Sequence, residues 1–139
     1  MTGEYPFAES DFEISEQACA LTVRVLSALR SRLSVNICLL GHKELLDQGQ
    51  IFLFNHFARF ETVIPQYLIF EETGVYCRSV AASEFFKGNE TVAKFLGSIG
   101  AVPNDLEGVL PFLAAEVLRG RKIIVFPEGG IVKDRRVID

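Results

Sequence analysis

Between Ala18 and Leu33, apolar residues return at three- and four-residue steps through Leu21, Val25 and Leu29, the spacing that lines one face of an α-helix. Ser10, Asp11, Phe12 and Glu13 precede them with the spacing of a capping box, so a helix is predicted over 11–33. The period then changes. "SVNICLL", from Ser34, is β-branched and apolar, "GHKELLDQGQ" interrupts it with glycine and polar residues, and "IFLF" resumes it from Ile51. Strand, connection, strand is the prediction. "GVYCRSVA" reads as a third strand, residues 89–99 as a short helix and "GAV" as a brief strand. Residues 105–119 read as a helix that begins near Asp105 and stops at Gly120, and "KIIVF" as a buried strand.

Strands alternating with helices predict an α/β fold: a mixed, largely parallel sheet flanked by helices, with ligands beyond the carboxyl ends of its strands. Residues 1–34 form an N-terminal amphipathic helical segment in this division, and residues 35–139 the α/β domain. The formal charge of −4 gives no electrostatic reason to expect nucleic acid, whose phosphates demand clustered Lys and Arg. Cys19, Cys38 and Cys77 are odd in number and set among apolar residues, which predicts buried, reduced thiols of a cytosolic protein and neither disulfides nor a metal site. The acidic start lacks the basic-then-apolar pattern of an export signal, and no apolar run reaches the ~18 residues of a spanning helix. Membrane contact, if made, is expected to be peripheral, at the inner face, through Arg24, Arg30 and Arg32 of the first helix.

The chemistry concentrates after two of the strands. In "IFLFNHFARFETVIP", His56 and Glu61 are five residues apart, roughly 140° around a continuous helix, so they cannot pair within one regular helix. With His56 in a strand-to-helix turn and Glu61 in the first helical turn, the carboxylate folds back toward the imidazole. It then holds one ring nitrogen as N–H and leaves the other to take a proton. Such a base, without a protein nucleophile, suits proton removal from a substrate hydroxyl. A hydrogen-bonded turn histidine beside an ordinary helix-start glutamate is the plainer account of the same pair. His42, in "GHKELL", has no such partner and is assigned to a surface turn. In "FPEGG", Gly129 and Gly130 follow a buried strand and let backbone N–H groups approach a phosphate or oxyanion.

These stretches resemble the motifs of the glycerolipid acyltransferases, typified by the lysophosphatidic acid and glycerol-3-phosphate acyltransferases. Asn55, His56 and Glu61 match the family's Asn-His, four residues, Asp motif, with Glu for Asp. Phe126, Pro127, Glu128 and Gly129 match its Phe-Pro-Glu-Gly, and "AASEFF" with "FLGSIGAVPND" resembles the approach to its second motif. The likeness spans roughly 35–130 and implies transfer of a fatty acyl group from acyl-CoA or acyl carrier protein to a hydroxyl of a glycerol-phosphate-type lipid precursor. It further implies His56 as base, Glu61 as its orienting partner, an acceptor site lined by Phe126 to Gly129, and no cofactor beyond the thioester co-substrate.

The departures are as specific as the matches. Pro103, Asn104 and Asp105 follow "GAV" where the family supplies an arginine, and Gly130 and Ile131 replace its Thr-Arg. The acceptor's phosphate is therefore expected to meet Lys133, Arg135 or Arg136, helped by Arg59 or Arg78, with Asn55 and Gly130 also at the site. Nothing matches the family's fourth motif, so an incomplete acyltransferase domain is expected. A non-catalytic lipid- or acyl-carrier-binding module is the alternative outside enzymes, and a lipid A type acyltransferase the alternative within them. An ordinary nucleotide-binding α/β domain finds no phosphate-loop motif to support it.

Overall fold

The computed structural model describes residues 12–55 and 63–127. Helices α1 (Glu16–Arg32) and α2 (Glu44–Gln48) lead to strand β1 (Ile51–Leu53), then α3 (Ile64–Thr73) and β2 (Cys77–Ala81). Helices α4 (Glu84–Lys87) and α5 (Glu90–Ser98) lead to β3 (Ala101–Pro103), and α6 (Val109–Leu118) to β4 (Lys122–Val125). The chain is an α/β unit in which four strands form one sheet of order β1-β4-β2-β3, flanked by helices.

Every strand pair is parallel, so the mixed sheet expected from the sequence is parallel throughout the described residues. The strand predicted at 34–40 is not formed. Ser34, at φ 52°, turns the chain out of α1, and the Val35 amide bonds back to the Arg30 carbonyl at 3.0 Å. Leu40 is left 96% exposed. A β-branched run has the propensity for a strand, but it forms one only against a neighbour, and none lies beside it among the described residues.

Helix starts moved for identifiable reasons. The N-cap of α1 is Ser15, not Ser10: its hydroxyl accepts from the Ala18 amide at 3.2 Å. Asp105 does not begin α6, because its carboxylate is engaged by Lys87 at 3.0 Å, and the helix starts after Gly108 instead. Asn89 caps α5 through the Thr91 and Val92 amides, close to where the sequence puts that helix.

The apolar row of α1 is its outward one. Leu21 and Leu33 are 61% and 67% exposed, and Val25 and Leu29 are also exposed. The inward side carries Cys19 against the Ser98 carbonyl, Ser27 against the Tyr67 hydroxyl at 3.2 Å, and Arg30 against Glu71 at 3.1 Å. Arg30, half-buried, is held to Glu71 and does not share the full exposure of Arg24 and Arg32.

The core has two layers, one on each side of the sheet. Phe112 and Leu113 of α6 pack with Val102 and Ile123 on one face, and Ile69 of α3 packs with Cys77 and Ile124 on the other. Two connections cross parallel strands over these layers. The step β1-α3-β2 passes over β4 on the α3 face, and β3-α6-β4 returns over β2 on the α6 face, as one hand of crossover requires when direction reverses. Gly100, at φ +100°, lets β3 start hard against β2: a Cβ there would stand 2.3 Å from the Cys77 carbonyl oxygen. At the same end of the sheet, buried Lys122 donates to the Asp47 and Gly49 carbonyls at 2.9 and 2.7 Å, tying the turn before β1 to the start of β4.

Candidate functional site

β1 and β4 carry the two chemical stretches at their carboxyl ends, and they are neighbours. Ile51, Phe52 and Leu53 stand in register with Ile123, Ile124 and Val125, although each pair is 72 positions apart. The ladder continues past β1: the Phe54 amide donates to the Val125 carbonyl at 3.0 Å. Phe54 and Phe126 then meet with ring centroids 6.1 Å apart, on the α3 side of the sheet with Phe52. Asn55 and Pro127 follow at once, both exposed. The chain thus leaves two adjacent strand ends beside a pair of phenylalanines, and Asn55, Phe126 and Pro127 are brought to one place.

The remaining site residues of the sequence lie outside the described residues: His56, Arg59 and Glu61 after β1, and Glu128, Gly129, Gly130, Lys133, Arg135 and Arg136 after β4. Described structure resumes at Val63, and α3 starts at Ile64 with Pro65 in its first turn, where a missing N–H costs nothing.

Arg78 is a correction. It was expected to help at the acceptor's phosphate, but it lies near the start of β2, at the amino end of the sheet, and is 4% exposed. Its Nε donates to Glu116 Oε2 at 2.6 Å, its Nη1 donates to the Phe12 carbonyl, and its guanidinium lies 5.0 Å above the Phe112 ring. Burial pulls the Arg78 pKa down, and the Glu116 carboxylate opposes that. Burial pushes the Glu116 carboxyl up, but Arg78 and Arg119 outweigh it and hold the group below its ordinary range. Arg78 is a structural cation, fully occupied.

The carboxyl ends of β2 and β3 hold a polar group that sequence reasoning missed. The Ser83 amide donates to Asn104 Oδ1 at 3.2 Å, while Lys87 Nζ donates to Ser83 Oγ at 3.1 Å and to Asp105 Oδ2 at 3.0 Å. The Lys87 and Ser83 contacts lower the Asp105 pKa. Asn104 and Asp105 therefore do not stand idle where an arginine was expected: they fix the α4 turn and bring Lys87, on "AASEFFK", to this end of the sheet. Its only sequence signal is that the lysine closes the short apolar stretch after β2.

The thiols divide. Cys19 and Cys77 are buried as expected, and burial pushes the Cys77 thiol up to about 12. Cys38 is exposed, on the 34–40 stretch that forms no strand. His42 is exposed, as a surface-turn residue should be. Among the described residues, no group of three His, Cys, Asp or Glu could hold a metal, and no helix is long and apolar enough to cross a membrane. No family model, curated protein or solved structure matches the chain.

Proposed function

We propose that the chain is an acyltransferase of the glycerolipid type, moving a fatty acyl group from acyl-CoA or acyl carrier protein to a hydroxyl of a glycerol-phosphate-type lipid precursor. One observation carries the reading: the strands that precede "NHFARFE" and "FPEGG" are hydrogen-bonded neighbours in register, so stretches 72 positions apart leave the sheet side by side. Motifs that must act on one substrate need this adjacency, and an accidental pair of turns does not.

In this reaction His56 takes the proton of the acceptor hydroxyl as its oxygen attacks the thioester carbonyl carbon. The C–S bond then breaks, and the imidazolium returns the proton to the leaving thiolate. Glu61 keeps the imidazole oriented and stabilises the imidazolium. Asn55, Phe126, Pro127, Glu128, Gly129 and Gly130 line the acceptor side. Lys133, Arg135 and Arg136 meet its phosphate with help from Arg59, and Lys87 adds a cation on the β2 side of the same end of the sheet.

A membrane surface is the natural source of the acceptor. The outward row of α1, Leu21, Val25, Leu29 and Leu33 with Arg24 and Arg32 beside it, has the composition of an interfacial helix, and residues 17–43 hold no Asp or Glu. The same row favours the second reading, a lipid-binding module without catalysis.

Thioester consumption, followed as free thiol with lysophosphatidate or glycerol phosphate present, separates the two. Turnover that falls by roughly 10²- to 10⁴-fold in His56→Ala, with the circular dichroism of the chain unchanged, is the expected result. Glu61→Gln falls less. Thioester stable in the presence of every acceptor, with the chain bound to vesicles, selects the module.

A further inference from the structure

Between them, α1, α3 and the turn after α1 line a groove of about 420 Å3, within the size range of sites that hold small molecules. Its inner wall is the clamp that joins the two helices. The Tyr67 hydroxyl, on a residue only 4% exposed, donates its one proton to Glu71 Oε1, so the Ser27 hydroxyl, 3.2 Å away, donates to Tyr67. Glu71 Oε2 accepts from Arg30 Nη1 at 3.1 Å, which leaves further donors on the guanidinium and a second lone pair on each carboxylate oxygen. The outer wall is the turn that ends α1, with Ser31, Ser34, Val35 and Asn36. Among the described residues, the side chains of Ser31, Ser34 and Asn36 bond to no other protein group. Ser34 is also the one described residue other than glycine at positive φ, 52°. The Ser34 and Val35 amides close the helix on the Ser31 and Arg30 carbonyls at 3.2 and 3.0 Å, a turn that glycine makes freely and serine does not. Backbone held in so sparsely used a region points to a use for the side chain it carries.

Charge decides what kind of ligand suits the groove. Among its described lining residues Arg30 is the only cation and Glu71 the only anion, and the two are paired. The carbonyl end of α1 adds the negative end of a helix dipole, which disfavours a phosphate or a carboxylate there. What remains is hydroxyls, an amide and a fixed ion pair, groups that donate and accept side by side, with Val35 as an apolar patch. We propose that the groove binds a neutral, polyhydroxylated ligand: a sugar ring, either free or at the head of a lipid. Adjacent hydroxyls of the ring bridge Arg30 and Glu71, Ser34 and Asn36 take its outer hydroxyls, and Val35 meets a C–H face. This goes beyond the acyl-transfer reading and does not depend on it, since none of these residues lies on the stretches that follow β1 and β4.

The test is an NMR titration of the chain with glucose, galactose and maltose. The amides of residues 27–36 and 67–71 should shift, while those of Phe54, Asn55 and Phe126 at the strand ends stay in place. Inorganic phosphate should leave residues 27–36 and 67–71 unmoved. Sedimentation with phosphatidylcholine vesicles, with and without galactosyl diacylglycerol, gives the source: enrichment on the sugar-bearing vesicles without a response to free sugar assigns the ring to a lipid. Ser34→Gly is the deciding variant. Freed of its left-handed serine, the protein should keep or raise its melting temperature, yet bind roughly 2- to 10-fold more weakly, the worth of one neutral hydrogen bond. Asn36→Ala should weaken binding by a similar factor with the melting temperature unchanged. A turn that serves structure alone would tolerate both variants with full binding, and that result overturns the proposal. So does a response of these amides to phosphate with none to sugar, or no response to free sugar together with equal sedimentation on the two kinds of vesicle.

Discussion

A buried charge is stable only while its partner is present, and Arg78 with Glu116 is the sharpest case here. Both side chains are 5% exposed, and the pair is completed by Arg119 at 3.1 Å and the Phe12 carbonyl. Glu116→Ala strands the guanidinium and should cost about 3–5 kcal/mol of folding stability in a urea titration. Replacing both partners together, Arg78→Met with Glu116→Leu, should recover most of that loss. An equal loss in the single and double variants would show that the pair is not what holds β2 to α6. The thiols offer a second check. With its pKa pushed up to about 12, Cys77 should resist alkylation at pH 8 while exposed Cys38 reacts. At the proposed site, removing charge at Lys133, Arg135 and Arg136 should raise the KM for a phosphate-bearing acceptor far more than that for the thioester. Equal effects on the two constants would move the phosphate elsewhere.

At the scale of elements, caps and tight approaches decide where helices and strands begin. Ser15→Ala removes the acceptor for the Ala18 amide and should cost about 1 kcal/mol. Gly100→Ala meets both a left-handed backbone and the Cys77 carbonyl, and should cost more, about 2–3 kcal/mol or above. A Gly100→Ala protein as stable as the parent would mean that β3 can shift against β2. Periodicity and terminal glycines made α1, α5 and α6 legible, and the apolar runs of β2 and β4 were legible because each finds parallel partners in the sheet. The 34–40 strand failed because a strand is a property of a pair, and β-branched residues cannot supply the partner. The outward row of α1 was legible as an apolar face but not as an exposed one: which side of a helix is buried depends on where α3 and α5 offer Tyr67, Glu71 and Ser98. The site was legible as two motifs. That β1 lies beside β4 could not be read from them, since strand order is set by crossovers and not by local pattern.

At the scale of the whole molecule, the Glu116 pair ties stability to pH. The carboxyl is held below its unfolded value, so its contribution is complete above about pH 4.5 and is lost as pH falls through the depressed value. The urea midpoint should be level between about pH 5 and 7 and fall below about pH 4, and Glu116→Gln should flatten that fall. Asp105 and Glu90 shift in the same direction but are exposed, where solvent screens them. A midpoint that falls as steeply in Glu116→Gln would assign the acid sensitivity to other carboxylates. The strand order also has a consequence in time. Among the described strands, β1 is joined to the sheet only through β4, and the two are made 72 residues apart. On a ribosome adding ~5–20 residues per second, Leu53 emerges roughly 4–14 s before Val125 exists to pair with it. For that interval its backbone groups and the apolar "IFLF" run have no ladder, which is when a nascent chain is most open to capture by a chaperone or by another copy. The adjacency that would join the two motifs thus forms only after β4 is made, and a pause in translation before Lys122 should lengthen the exposure of β1 more than that of β2 and β3, which already have each other.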